Sequence, residues 1–412
     1  MAVVRPFAAL RPSEKYVNKV ISLPYDVMDR RKALELSSGN PHSFLHISRA
    51  EIDLPHIEDP HHPEVYRQSK RKFDEFVSQG ILIRDEQPCL YIYRQTMNGR
   101  SQTGITGCVS IDEYLDGTIR KHELTLVEKE QDRIDHFDAC NANTEPVFLT
   151  YRYNADLHDL MESWIRDHAP VYDLTDTNSI GHTLWIVDDP GHIEDIIKCF
   201  RHIQNLYIAD GHHRSASAVK VGMKRREANP DYDGSEEFNF FMAVIFPDSD
   251  LLLYDYNRVV KDLNGMSKEG FLTALSSSFE IEEMTRAPFN PDGPHVFSMH
   301  LAGSWYRLSA KESILSDHII RGLDVSILQN HVLEPLLGIR DPRTDSRIDF
   351  VGGIHGLEEL ERRTKNDMAV AFALYPVSME DILVASDQNE VMPPKSTWFE
   401  PKLGSGLFIH TL

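Results

Sequence analysis

Leu206, Tyr207, Ile208 and Ala209 form a short apolar run that breaks at Asp210-Gly211 and passes through His212-His213-Arg214 into a helical pattern. A strand that stops on a glycine and restarts at once as a helix points to a mixed α/β architecture. The same junction concentrates chemistry. Gly211 lets the backbone turn sharply or approach a ligand closely. The helix behind it offers unpaired N–H groups and the positive end of its dipole, which together suit an anion. Arg214 adds a permanently charged planar fork for phosphate oxygens. His212 and His213 add donors that can carry charge near neutral pH. Asp210 can fix a histidine tautomer or reach a magnesium ion through water. Two plainer readings stay open: a helix start with a polar turn, and a hydrolytic metal site, for which no His-Glu-x-x-His ligand pair occurs.

The rest of the chain repeats the strand–helix mixture. A helix is expected from about Glu64, with Phe73, Phe76 and Val77 at helical spacing and Gly80 ending it. Leu90–Gln95 alternates as a strand, Met97-Asn98-Gly99-Arg100 supplies a hairpin turn, and Gly104–Ile111 returns. Helices are expected over 155–167, 191–203, 215–225, 313–323 and 378–384, and strands over 183–187, 241–246, 251–254 and 369–374. The strands 241–246 and 251–254 would form a hairpin around Pro247-Asp248-Ser249-Asp250. The organisation expected is an N-terminal α/β segment (1–100), a phosphate-binding core (101–247) and a C-terminal α/β segment that completes the site (248–412).

Two further segments carry candidate residues. Lys121-His122-Glu123-Leu124-Thr125 precedes a helix whose apolar side is Val127, Ile134 and Phe137, with Lys129, Glu130, Asp132 and Arg133 facing elsewhere. Thr125 and Glu128 have capping-box spacing. A carboxylate at Glu123 is stabilised by the helix dipole and can act as a base on a hydroxyl, provided the fold brings it to the loop. Pro393-Pro394-Lys395-Ser396-Thr397 is a stiff loop whose lysine and hydroxyls suit an anion clamp, and equally suit a surface loop.

Composition limits the partners. Asp and Glu number 64 against 43 Lys and Arg, a net charge of -21. Such a chain is repelled by nucleic-acid backbones and anionic membranes at long range, so neither is an expected partner. Cys89, Cys108, Cys140 and Cys199 show no C-x-x-C spacing and read as reduced thiols of a cytoplasmic protein. The first ten residues carry no secretory apolar segment, and no run approaches the ~18 apolar residues of a membrane span. Homo-oligomerisation is left open.

Several motifs occur together and in order: Phe7-x-x-Leu10-Arg11-Pro12, Pro24-Tyr25-Asp26-Val27, His122-Glu123-x-Thr125, Lys129-Glu130-x-Asp132-Arg133, Glu145-Pro146-Val147, Ala209–Arg214, and Pro393–Phe399 followed by Pro401-Lys402 and Gly406-Leu407. In these the chain resembles the DUF-1015 family over nearly its whole length. That family is often labelled a chromosome-partitioning or sporulation regulator because its loop resembles those of ParB and sulfiredoxin. The chain also resembles the archaeal free serine kinases at three ordered places, His122-Glu123, Asp210–Arg214 and Pro394–Thr397. The resemblance implies a ParB-like nucleotide- and phosphate-binding core and a nucleotide-dependent kinase of free L-serine, using ATP or ADP with Mg2+. It implies Glu123 as base, with His122 and Arg214 beside it at the catalytic centre. Asp210, Gly211, His212, His213 and Arg214 would hold phosphate, with Asp210 toward the metal. Lys395, Ser396 and Thr397 would bind substrate. An O-phosphoserine phosphatase built on the same site, and a ParB-like nucleotide-binding regulator, are the alternatives. Asn257-Arg258 departs from the resemblance, since a histidine is expected before the arginine.

Overall fold

The structure is a computed structural model that describes residues 1–284 and 288–412. Two compact units divide the chain: Met1–Leu251 with Pro401–Leu412, and Leu252–Glu400. The boundary expected at residue 100 falls in a hairpin turn. Leu90–Met97 and Arg100–Ser110 pair antiparallel across Asn98-Gly99, both at positive φ (51° and 78°), and the hairpin lies inside the first unit. The first hundred residues therefore supply strands to the main sheet.

Among the described residues nine strands form that sheet, eight of them in the order Ile119–Arg120, Leu206–Asp210, Val147–Tyr151, Phe240–Pro247, Arg100–Ser110, Leu90–Met97, Gly181–Val187, Tyr172–Thr175. Val4–Arg5 adds to Arg100–Ser110 off this path. The pairing is mixed. Leu206–Asp210 runs parallel to Ile119–Arg120, Phe240–Pro247 runs parallel to Val147–Tyr151, and the other pairs are antiparallel. Val147–Tyr151 is buried at every position, as is Phe241–Pro247, because helices cover the sheet and a strand covered on both sides must be apolar throughout. Leu157, Met161 and Trp164 of one helix (Ala155–Asp167), and Ile193, Ile196 and Phe200 of another (Pro190–His202), join the same core as Leu149, Ile208 and Ile245.

The helix His212–Ala228 starts three residues earlier than the sequence pattern indicates, directly on Gly211. It is lined by small buried residues (Ser215, Ala216, Ser217, Ala218, Gly222) that let it lie close to its neighbours. It packs against the helix Val127–Cys140, where the Ser217 hydroxyl donates to the Glu130 carbonyl at 2.9 Å. The expected capping box at Thr125 is absent. Leu126 occupies the cap without a side-chain bond, and the Thr125 hydroxyl donates to the Glu130 carboxylate instead of facing Glu128. Val127, expected on the apolar side, is 78% exposed, whereas Glu130 and Arg133, expected to face away, are buried.

In the second unit, among the described residues, six antiparallel strands form a sheet in the order Phe279–Met284, Ser304–Ala310, Val296–Leu301, Val370–Ala373, Tyr256–Val260, Ile348–Gly352. Leu357 and Leu360 of the helix Gly356–Asn366 pack on it with Val259, Val351 and Ala371. Two expectations fail here. Leu252–Tyr254 pairs with Trp398–Glu400 and not with the strand before it. Residues 313–323 form no α-helix, only a 3-10 turn over Glu312–Ile314 followed by turns. The helix Met379–Asp387 does carry the capping box read from Ser378 and Asp381.

Gly222 tests the close packing of the helix His212–Ala228. In an open helix Gly→Ala stabilises by about 1 kcal/mol. Here the added Cβ would meet the Phe238 carbonyl oxygen at 2.4 Å and Ile111 Cδ1 at 2.8 Å. A backbone clash of that size outweighs propensity, so Gly222→Ala is expected to lower stability by about 1–3 kcal/mol in urea unfolding. A gain in stability would show that the helix can shift.

Candidate functional site

The strand Leu206–Asp210 carries Asp210 at its C-terminal end, and Gly211 then turns the chain at φ 93°. That left-handed conformation is one that side chains resist, and space for one is tight as well. A Cβ on Gly211 would sit 3.0 Å from Arg214 Nε and 3.1 Å from its Cζ, because the guanidinium folds back over the glycine.

Arg214 is only 2% exposed. Its Nη1 donates to the Pro146 carbonyl at 2.6 Å and its Nη2 to Asp210 Oδ2 at 3.0 Å, with Asp26 Oδ2 at 3.9 Å. Its Nε, also buried, has no protein acceptor among the described residues. Burial alone would lower the Arg214 pKa, but the carboxylates of Asp26, Asp210 and Glu145 raise it, so the cation is held firmly. Burial would likewise raise the Asp210 pKa. Lys402, with its Nζ 4.0 Å away, and Arg214 outweigh that and bring it to about 2. The loop thus begins with a permanent carboxylate clamped between two cations.

His212 and His122 meet edge to face, ring centroids 4.5 Å apart. Both are buried, at 5% and 2% exposure. Burial lowers the His122 pKa to about 4 against the opposing charge of Asp210. It also pushes His212 well down, helped by His122. Both rings are therefore neutral at pH 7. Among the described residues neither ring nitrogen of His122 has a protein partner, nor does His212 Nε2. Buried polar atoms left this way are those a ligand or water satisfies. Glu123 Oε2 lies 3.8 Å from His212 Nδ1, and its side chain is 36% exposed. His213 Nε2 accepts the Leu126 N–H at 3.0 Å, which ties the loop to the segment carrying His122 and Glu123.

The first unit therefore brings together His122, Glu123 and Asp210–Arg214. Lys395, Ser396 and Thr397 fall in the second unit. Asp210 was expected to reach a metal ion, but its carboxylate is engaged by Arg214 and Lys402, and among the described residues no group of three or more His, Cys, Asp or Glu could hold one.

Sequence reasoning missed the shell beneath the loop. Tyr25 packs under the Arg133 guanidinium at 3.8 Å, and its N–H donates to Glu145 Oε1 at 3.2 Å. Glu145, 1% exposed, also accepts from the Ser405 hydroxyl at 2.7 Å, while Arg133 pairs with Asp132 at 2.8 Å. Asp26, Arg133, Glu145 and Lys402 all lie in motifs noted above, and membership of those motifs was the available signal.

A strand that ends in a glycine turn and restarts as a helix, backed by buried charge, defines an α/β protein with a strand–loop–helix candidate site. The chain belongs to the family described as Protein of unknown function (DUF1015), which matches residues 4–326. No curated protein matches it. Similar solved structures include a free serine kinase in complex with AMP (14% identity, TM-score 0.36, covering 73% of this chain and 92% of that one). They also include SbnI with a C-terminal truncation from Staphylococcus aureus (11% identity, TM-score 0.40, 74% and 87% covered). A third is a conserved hypothetical protein from Pyrococcus furiosus (14% identity, TM-score 0.35, 73% and 95% covered).

The neutral histidine at position 122 gives a pH signature. With a folded pKa of about 4 and an unfolded value near ~6.5, only the unfolded state takes up this proton between those limits. Stability from His122 is full above pH 6.5, falls as the pH drops below it, and is exhausted near pH 4. Thermal melts across that range should slope less steeply in His122→Asn than in the parent, by up to about 1.4 kcal/mol per pH unit. Parallel slopes would mean that folding does not lower the pKa of His122.

Proposed function

We propose that the chain is a phosphotransferase that moves a phosphoryl group between a nucleotide and the hydroxyl of free L-serine, acting as an ATP- or ADP-dependent kinase. The observation that carries the reading is the approach of the Glu123 carboxylate, partly open to solvent, to within 3.8 Å of the His212 ring on the anion loop. A base beside an anion cradle is the arrangement that phosphoryl transfer to a hydroxyl requires, since the reaction depends on positioning and charge neutralisation more than on covalent work by the protein.

In this reading the N–H groups at the start of the helix His212–Ala228 receive the phosphate oxygens, with His213 beside them. His122 and His212, both neutral, offer ring nitrogens as donors without adding charge. Arg214 is a positioning residue. Its guanidinium fixes Asp210 and the Pro146 carbonyl, and its charge makes the potential at the loop more positive. Glu123 takes the proton of the substrate hydroxyl as that oxygen bonds to phosphorus, and the bond from phosphorus to the leaving nucleotide oxygen breaks. Magnesium would arrive on the nucleotide phosphates, and Asp210 could offer it one carboxylate only. Lys395, Ser396 and Thr397 are assigned to substrate on their motif.

The test mixes the full-length protein, magnesium and L-serine with ATP or with ADP and follows O-phosphoserine by mass spectrometry. A parallel reaction supplies O-phosphoserine with and without AMP or ADP. Phosphoserine should accumulate only with nucleotide, and Glu123→Gln should lower kcat about 10²–10⁴-fold with little change in nucleotide affinity. Phosphate release from phosphoserine without nucleotide would make the protein a phosphatase. An unchanged rate in Glu123→Gln would remove Glu123 as base.

A further inference from the structure

Arg258 sits in the strand Tyr256–Val260 of the second unit, between Ile348–Gly352 and Val370–Ala373, and is 3% exposed. Its guanidinium lies over the Phe350 ring, 5.4 Å from the centroid. Each of its protein acceptors is a main-chain carbonyl: Tyr256, by way of Nη1, and Lys395 at 3.0 Å and Pro394 at 3.4 Å, by way of Nη2. Among the described residues no carboxylate pairs with it. The contrast with Arg214 and Arg133, each set against acidic side chains, is direct. A buried cation surrounded only by carbonyl dipoles is incompletely compensated, and its preferred complement is an anion.

The loop held by Arg258 carries a second cation and a strained backbone. Lys395 stands at φ 59°, left-handed for a residue with a side chain. Such a conformation costs about 1–2 kcal/mol and persists where the surroundings impose it. Here the Arg258 bonds to the carbonyls of Pro394 and Lys395 impose it, with the Ser396 hydroxyl donating to Pro393 at 2.6 Å. The Lys395 ammonium is 5.4 Å from the centroid of the Tyr256 ring, the residue whose carbonyl Arg258 binds. Two cationic side chains thus converge on Tyr256. Burial pushes the Arg258 pKa down to about 10, consistent with a charge awaiting a partner.

We infer that Arg258 and Lys395, with the loop Pro393–Thr397, form an oxyanion subsite within the second unit that takes the carboxylate or phosphate group of a small molecule. This rests on the assignment of Lys395–Thr397 to substrate for its place in the reaction, and it gives that assignment a ligand class. Arg258 acts through both its charge and its hold on the loop.

Trp398 is a local reporter, because its ring meets Tyr256 edge-on at 4.8 Å. The full-length protein is titrated with sodium phosphate and, separately, sodium acetate, at constant ionic strength set by sodium chloride, and tryptophan emission is followed. A saturable change is expected with one or both oxyanions. It should be absent in Trp398→Phe and weakened at least tenfold in Lys395→Ala and in Arg258→Gln. The preferred salt separates a phosphate from a carboxylate subsite. Lys395→Ala alters an exposed side chain and keeps the test valid if Arg258→Gln does not fold. An emission change equal in Lys395→Ala and parent, or equal in chloride alone, would overturn the subsite. Phosphoserine formation without this binding would sink the subsite and leave the kinase reading intact. Binding without turnover would do the reverse.

Discussion

The first unit is organised around a charge that cannot leave. Arg214 is almost wholly buried, and a guanidinium in that position must be surrounded by acceptors or the fold does not form. Its partners come from distant parts of the chain: Asp26 from the N-terminal region, Pro146 from the residue before the strand Val147–Tyr151, Asp210 from its own loop. Removing one partner of such a group typically costs ~3–5 kcal/mol, since the other is left unpaired in low dielectric. Gly211 follows from the same constraint. The guanidinium occupies the volume in which a side chain at 211 would begin.

This explains why the first hundred residues matter to a loop near residue 210. Tyr25–Val27, behind Pro24, is a short 3-10 turn, and its place is fixed from below. The Arg49 guanidinium donates to the Tyr25 carbonyl at 3.1 Å, Glu145 accepts the Tyr25 N–H, and Arg133 covers the Tyr25 ring. Glu145 reaches in turn to Ser405 in the returning C-terminal segment. Tyr25, Glu145 and Ser405 form a continuous polar layer under the loop. A layer of that kind rigidifies a site only when its members are satisfied together.

What was legible in the sequence was local. The helix ended by Gly80, the Asn98-Gly99 hairpin and the strand-to-helix break at Gly211 are each written within a few residues, because turn chemistry and periodicity act at that range. The loop and the pair His122-Glu123 were legible for the same reason, as unusual polar residues at element ends. Failures came where long-range contacts decide. Leu252–Tyr254 takes its partner from Trp398–Glu400, and nothing beside it in sequence announces that. The polar residues of the helix Val127–Cys140 read as a solvated face, yet Arg133 and Glu130 are buried because Tyr25, Asp132, Lys220 and Thr125 receive them. A charged residue looks the same in a sequence whether water or another side chain solvates it.

The electrostatics of the loop also bear on how a strongly acidic protein can attract an anion. The net charge of -21 opposes phosphate at long range, but screening confines that effect to about 8–10 Å in physiological salt. Inside that distance the local arrangement decides. Asp210 is neutralised by Arg214 and Lys402, while His122 and His212 are kept uncharged by burial. The main-chain N–H groups that open the helix then contribute a positive potential, against which the Glu123 carboxylate, 3.8 Å from His212 Nδ1, is set. Neutral histidines also spare the site a like-charge repulsion: two imidazolium rings 4.5 Å apart in a buried setting would push each other's protons off. In the proposed reading the loop would hold an anion through main-chain dipoles beside one shielded ion group, Asp210 with Arg214 and Lys402, more than through many positive side chains.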